Sequence, residues 1–140
     1  MTPQEIFDTV AKHLFTQGKR AGILRDGGDG FYGPVFRCRY RAPDGATCAV
    51  GKLLPDDAYD PKMEGAVVAL LISSFGGALP SWMRENVDLL DRLQKVHDQE
   101  THWASETRMR WELSLVAQSF GLDDSILLGL SFNRPEGQPA

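Results

Sequence analysis

Cysteine is scarce in this chain, at two in 140 residues. That is too few for the disulfide framework of a small secreted domain, so a reducing, cytoplasmic compartment is expected. Long apolar runs are missing as well. The longest, Ala66 to Ile72, falls far short of the roughly 18 residues that a membrane span needs, so no membrane association is expected. No basic region followed by an apolar stretch opens the chain, which argues against a secretory signal. There is no basic excess either: the formal net charge is −4. A general nucleic-acid binder meets phosphates with a basic face, so direct nucleic-acid binding is not expected. An acidic surface still leaves a basic protein partner open.

What is present reads as a folded protein. Hydrophobic residues make up 42% and charged residues 24%, close to the globular average. The length suits one domain with its own core. Thr2-Pro3-Gln4-Glu5 has the residue types of a capping box with proline at the first helical position. Ile6, Val10 and Leu14 then repeat along one face, so the pattern predicts a helix from Pro3 to Gln17, stopped at Gly18. Asp26 to Gly30 is too rich in glycine for regular structure. The period then changes to two. Phe36, Cys38 and Tyr40 alternate with Arg37, Arg39 and Arg41, as in a strand with one buried and one basic face. Ala42-Pro43-Asp44-Gly45 reads as a turn, with Ala46 to Val50 returning as a second strand. Asp60-Pro61 predicts the cap of a short helix reaching Met63 and Glu64, and Ala66 to Ile72 leans helical. Further helices are expected over 81–98 and 105–120, with one more short turn over 123–130. From Phe132 onward the proline and glycine content suggests a frayed tail. The expected fold is therefore α+β. It is a mostly helical single domain over 1–131 with a β-hairpin or small antiparallel sheet packed against four or so helices, and a flexible tail over 132–140.

Few residues suggest chemistry. Gly28, Gly30 and Gly33, followed after a strand by Lys52, fit the glycine-rich phosphate loop of protein kinases. The length and the missing catalytic-loop and Asp-Phe-Gly motifs exclude a kinase. The same glycines fail as a dinucleotide fingerprint, because a strand follows them rather than a helix. Arg37, Arg39 and Arg41, with Arg25 nearby, form the best candidate for holding an anion, since arginine makes charge-assisted, often bidentate contacts. Lys52, Gly28 and Gly30 join them as candidate ligand residues. Cys38 and Cys48 are expected on facing strands, and as free thiols they read mainly as small core residues. Metal binding would need further ligands at suitable spacing, so no metal and no cofactor are expected. His97 and His102 could pair with a cysteine as nucleophile and base. His97 falls on an apolar stripe, however, where a packed histidine donating to a carbonyl or carboxylate is the simpler reading, and no catalytic residue is assigned. Trp82, Trp103 and Trp111 leave room for a contact surface.

Several segments together carry a resemblance. Cys48-Ala-Val-Gly51-Lys-Leu-Leu-Pro55, Tyr59-Asp-Pro61 and Met63-Glu-Gly65 resemble a family of small phage and prophage proteins. The opening helix, the Tyr40-to-Gly45 turn, Leu93 to Asp98, Trp103, and Ala117 to Leu122 match its pattern too, so the resemblance spans most of the chain. Position 52, lysine here, is often cysteine in that pattern. The shared motifs name no activity, and no site residue transfers from them. By analogy with other phage accessory proteins, the resemblance implies a non-enzymatic protein that binds and inhibits or sequesters a host component, as a counter-defence inhibitor of the anti-CRISPR kind would. Asp56, Asp57 and Asp60, with Trp82 and Trp103, are the candidate partner contacts. A small anionic ligand such as a nucleotide, and a small Cys/His enzyme, stand as the alternatives. A homo-oligomer is compatible with all of them.

Overall fold

The computed structural model describes residues 1–26 and 33–134; the candidate residues Gly28 and Gly30 lie outside that set. The first helix, α1 (Pro3–Gln17), starts where its cap dictates. Thr2 Oγ1 accepts the Glu5 N–H at 3.1 Å, and Glu5 Oε1 accepts the Thr2 N–H at 3.0 Å. Two of the amides left orphaned at a helix start are thereby satisfied. Gly18 ends the helix in the left-handed region at φ 71°, which costs glycine nothing. Ile6, Phe7, Val10, Ala11, Leu14 and Phe15 are all buried, so α1 forms one wall of the core.

The sheet is a single antiparallel pair, β1 (Gly22–Asp26) with β2 (Pro34–Cys38). Its register sets Ile23 opposite Arg37 and Arg25 opposite Val35. The hairpin expected between 36–41 and 46–50 is corrected here. The turn over Ala42 to Gly45 does form. Ala42 N–H donates to the Ala46 carbonyl at 2.9 Å, Gly45 takes φ 91°, and Arg41 bridges to Thr47. The chain that follows coils into α2 (Ala49–Leu53), however, with Cys48 Sγ accepting the Gly51 N–H at 3.2 Å as its cap. Ala49, Val50, Gly51 and Leu53 are all buried, which the two-faced alternation of a half-exposed strand could not achieve.

Asp60 caps a short 3-10 turn over Pro61–Met63. Next come α3 (Val68–Phe75), a glycine-rich 3-10 turn, and α4 (Ser81–Glu85). The continuous helix expected over 81–98 is broken at Asn86, whose backbone sits at φ −124°, ψ 32°. The break lets α5 (Val87–Asp98) take its own direction. This helix touches α1, α2, α3, α4 and α6 (Glu106–Ser119), so it is the hub of the core. Its buried face carries Leu89, Leu90, Leu93, Gln94, Val96 and His97. The architecture is thus mostly helical α+β, six helices and one two-stranded sheet among the described residues. None of these helices is long and apolar enough to cross a membrane.

The tail expected from Phe132 is also corrected as far as Arg134. The Phe132 ring stacks 5.0 Å from that of Phe15 and 5.8 Å from that of Trp103. Asn133 N–H reaches the Phe15 carbonyl, and Arg134 donates to the carbonyls of Gly18 and Trp103. The polar composition hid one aromatic anchor, and that anchor fixes the segment.

Candidate functional site

Glu64 organises the surface beside the hairpin. Its carboxylate accepts the N–H groups of Tyr40 at 2.7 Å and Arg41 at 3.0 Å, and the Tyr59 hydroxyl at 2.6 Å. Three donors to one largely buried carboxylate compensate its loss of water. The Tyr40 hydroxyl in turn donates to the Ala66 carbonyl. Gly65 allows the sharp reversal between them at φ 84°. The segment after the 3-10 turn is therefore clamped against the end of β2.

A second network holds α5. Gln94 Oε1 accepts the Val50 N–H at 3.1 Å, and its Nε2 donates to Asp98 Oδ1 at 2.8 Å. His97 Nε2 lies 2.9 Å from the Ala21 N–H, a donor, so that nitrogen must carry the lone pair. Nδ1 then carries the proton and donates to Asp98 Oδ1 at 2.8 Å. Both nitrogens are engaged and the ring is fully buried. His97 therefore packs and donates to a carboxylate, and it has no free nitrogen to act as a base. The same geometry answers for the triplet Cys38, His97 and Asp98, whose ligand atoms lie within 4.8 Å of one another. Presenting a lone pair from Nδ1 to a metal would move the proton to Nε2, against the Ala21 N–H. The triplet belongs to the core network.

Burial disfavours the thiolate form of both cysteines. Burial pushes the Cys38 thiol up to about 12, and the neighbouring Asp98 charge adds to the effect. Burial raises Cys48 further still. A thiolate is the reactive form, so burial works against reaction at both cysteines. Cys38 and Cys48 do not face each other across a hairpin, because Cys48 caps α2.

Two adjoining hollows flank Glu64 and α5. One, of about 260 Å³, is lined by Ile23, Arg25, Arg37, Cys38, Arg39, Glu64 and Gly65. The other, also about 260 Å³, lies between Cys38–Tyr40, the Gly65–Val68 segment and the α5 residues Asp91, Gln94, Lys95 and Asp98. They share Cys38, Arg39 and Gly65, so they adjoin. Hairpin register explains the first: Ile23, Arg25, Val35 and Arg37 alternate onto the same sheet face. Arg39 Nε approaches Glu64 Oε1 at 3.7 Å, an attraction too long to be a hydrogen bond. Arg25 and Arg37 have no ion-pair partner among the described residues.

The remaining candidates lie elsewhere. Arg41 does not share the face of Arg37 and Arg39. It turns to Asp56 at 2.7 Å and the Leu54 carbonyl at 3.1 Å, its guanidinium 4.6 Å from the Tyr59 ring centre. Lys52 is exposed and borders a third, more open hollow of about 500 Å³ with Arg41, His13 and Thr47. Of the acidic candidates, Asp56 is paired with Arg41 and Asp60 caps its 3-10 turn through the Lys62 N–H, while Asp57 is exposed. Trp103 is fully buried, its Nε1–H on the His97 carbonyl, so it is a core residue and not a partner contact. It does not share a helix face with Trp111, which stands 61% exposed on α6. Trp82 is half-buried. Asp91, Gln94, Lys95 and Asp98 were missed as residues lining a hollow. Their spacing of three, one and three does put them on one helix face, a signal that the sequence carries.

No family model matches this chain, and no curated protein or solved structure shows significant similarity to it.

Proposed function

We propose that this is a non-enzymatic binding protein that holds an anionic group in the hollow between the hairpin and the Glu64–Gly65 segment. The observation that supports the reading is the convergence of Arg25, Arg37 and Arg39 on one hollow, two of them without an ion-pair partner among the described residues. Guanidinium groups bind phosphate and carboxylate in forked pairs, and two on one rigid sheet face are already oriented for this. A binding role also fits the engaged His97 and the two protonated thiols, which leave no assembled nucleophile and base. In the setting implied by the resemblance to phage proteins, the captured anion belongs to a host component. Binding through the acidic residues is the weaker version, because Asp56 and Asp60 already serve local contacts.

The test is a titration of inorganic phosphate into isotope-labelled protein at low salt. Amide shifts are expected in β1, in β2 and at Arg39, diminished by added salt and largely lost in the double variant Arg25→Gln/Arg37→Gln. No shift, or shifts that survive the double substitution, would overturn the reading.

A further inference from the structure

The hollow of the proposed anion site adjoins a second one of the opposite character. Beyond the shared Cys38, Arg39 and Gly65, the wall is apolar at Ala66, Val67 and Val68 and ends on α5 carboxylates. Asp91 is matched by Lys95 at 2.8 Å. Asp98 is different. Its Oδ1 accepts from both Gln94 and His97, which locks the carboxylate in place. Its Oδ2 accepts no N–H or O–H hydrogen bond among the described residues, the Cys38 thiol lies beside the carboxylate, and the side chain is 40% exposed. A fixed carboxylate with one committed and one open oxygen is a pre-organised acceptor for an N–H donor.

Resting on the anion-binding reading, we propose that the two hollows form one two-ended site. Its ligand is a small molecule with an anionic group at one end and an amino group at the other, across a short apolar body. Arg25 and Arg37, with Arg39 beside them, hold the anion. The amino N–H donates to Asp98 Oδ2, and the Ala66–Val68 wall covers the body between. Each hollow suits a small ligand fragment. An aminopurine nucleotide and an amino-carboxylate both have this chemistry, and the experiment separates them.

Two pairs of probes differ in the amino group: AMP against purine riboside 5′-monophosphate, and glutamate against glutarate. In the unmodified protein, the amino-bearing member of at least one pair is expected to bind about tenfold more tightly, as a hydrogen bond to a charged acceptor allows. The pair that shows the preference names the source. Asp98→Asn keeps the oxygen that Gln94 and His97 need and puts an NH₂ where Oδ2 stood. It should abolish the preference while leaving inorganic phosphate binding unchanged. Equal binding within both pairs overturns the two-ended site, and so does a preference that persists in Asp98→Asn. The comparison in unmodified protein decides even if that variant folds poorly. If phosphate still binds through Arg25 and Arg37 when both pairs bind equally, the anion reading stands and only this extension fails. If phosphate, nucleotides and carboxylates all fail to bind, both fail.

Discussion

At the scale of single residues, most polar side chains near the hairpin serve the fold. Glu64, Tyr59, Gln94, His97 and Asp60 each make a defined structural contact. Together they clamp one loop and one helix to the sheet end. The cysteines are the sharpest test. Both thiols are held protonated by burial, Cys38 with a pKa near 12. At pH 8 a disulfide reagent should therefore modify native Cys38 at least about a hundredfold more slowly than a free thiol of ordinary pKa. Cys48 should react only after denaturant unfolds the chain. A rapid burst from either thiol in native protein would contradict this and reopen nucleophilic chemistry.

At the scale of elements, the least expected feature is the helix after the Ala42–Gly45 turn. Its position depends on Gly51, where an added Cβ would overlap the Tyr40 carbonyl. Backbone, unlike the end of a flexible side chain, cannot swing aside. Gly51→Ala should therefore cost more than about 3 kcal/mol in denaturant unfolding, the range of severe backbone or core disruption. Gly77→Ala is the control, because its Cβ would meet nothing within 4 Å. It should stay within about 0.5 kcal/mol of the parent, as open surface positions do. Equal effects at the two positions would mean that α2 does not press on Tyr40 as described.

At the scale of the whole molecule, distant segments meet at a few anchors. Phe132 closes the core over Phe15 and Trp103. Phe132→Ala should lower stability by about 2–3 kcal/mol, since it removes a half-buried ring with two stacking partners. A change below about 0.5 kcal/mol, the range of ordinary surface substitutions, would show that the segment is not anchored. His13 joins α1 to the turn, its Nε2 2.8 Å from the Thr47 carbonyl. Burial lowers its pKa below 6.5, against the opposing hydrogen bond to the Thr47 carbonyl, and the nearby Lys52 charge adds to the lowering. The folded state thus favours the neutral ring. The associated stability is complete above about pH 6.5 and is lost as pH falls through that value towards the folded pKa. Unfolding free energy should decline between about pH 7 and pH 5, and His13→Gln should flatten that limb. The lowered carboxylates Glu5, Asp44, Glu106 and Asp123 act below it, as the pH falls under their ordinary values of 4.5 and 3.8. An unchanged limb in His13→Gln would assign the acid sensitivity elsewhere.

Local grammar determined α1 and its cap, the Ala42–Gly45 turn, the capped 3-10 turn at Asp60, the helix ending near Gly121 and the mostly helical α+β class. Each of these depends on neighbours within a few residues, and such contacts can be read along the chain. Tertiary structure alone decided the rest. It turned Ala49–Leu53 into a helix because that segment is buried on several sides, and it broke the long helix at Asn86 to let α5 run through the core. It sent Arg41 and Lys52 away from Arg37 and Arg39, and it brought Arg39 to the hollow that Asp91 and Asp98 of α5 also line. These charges were visible in the sequence. Their meeting was not, because it depends on how a hairpin docks on a helix about sixty residues further along, and no local pattern encodes that distance.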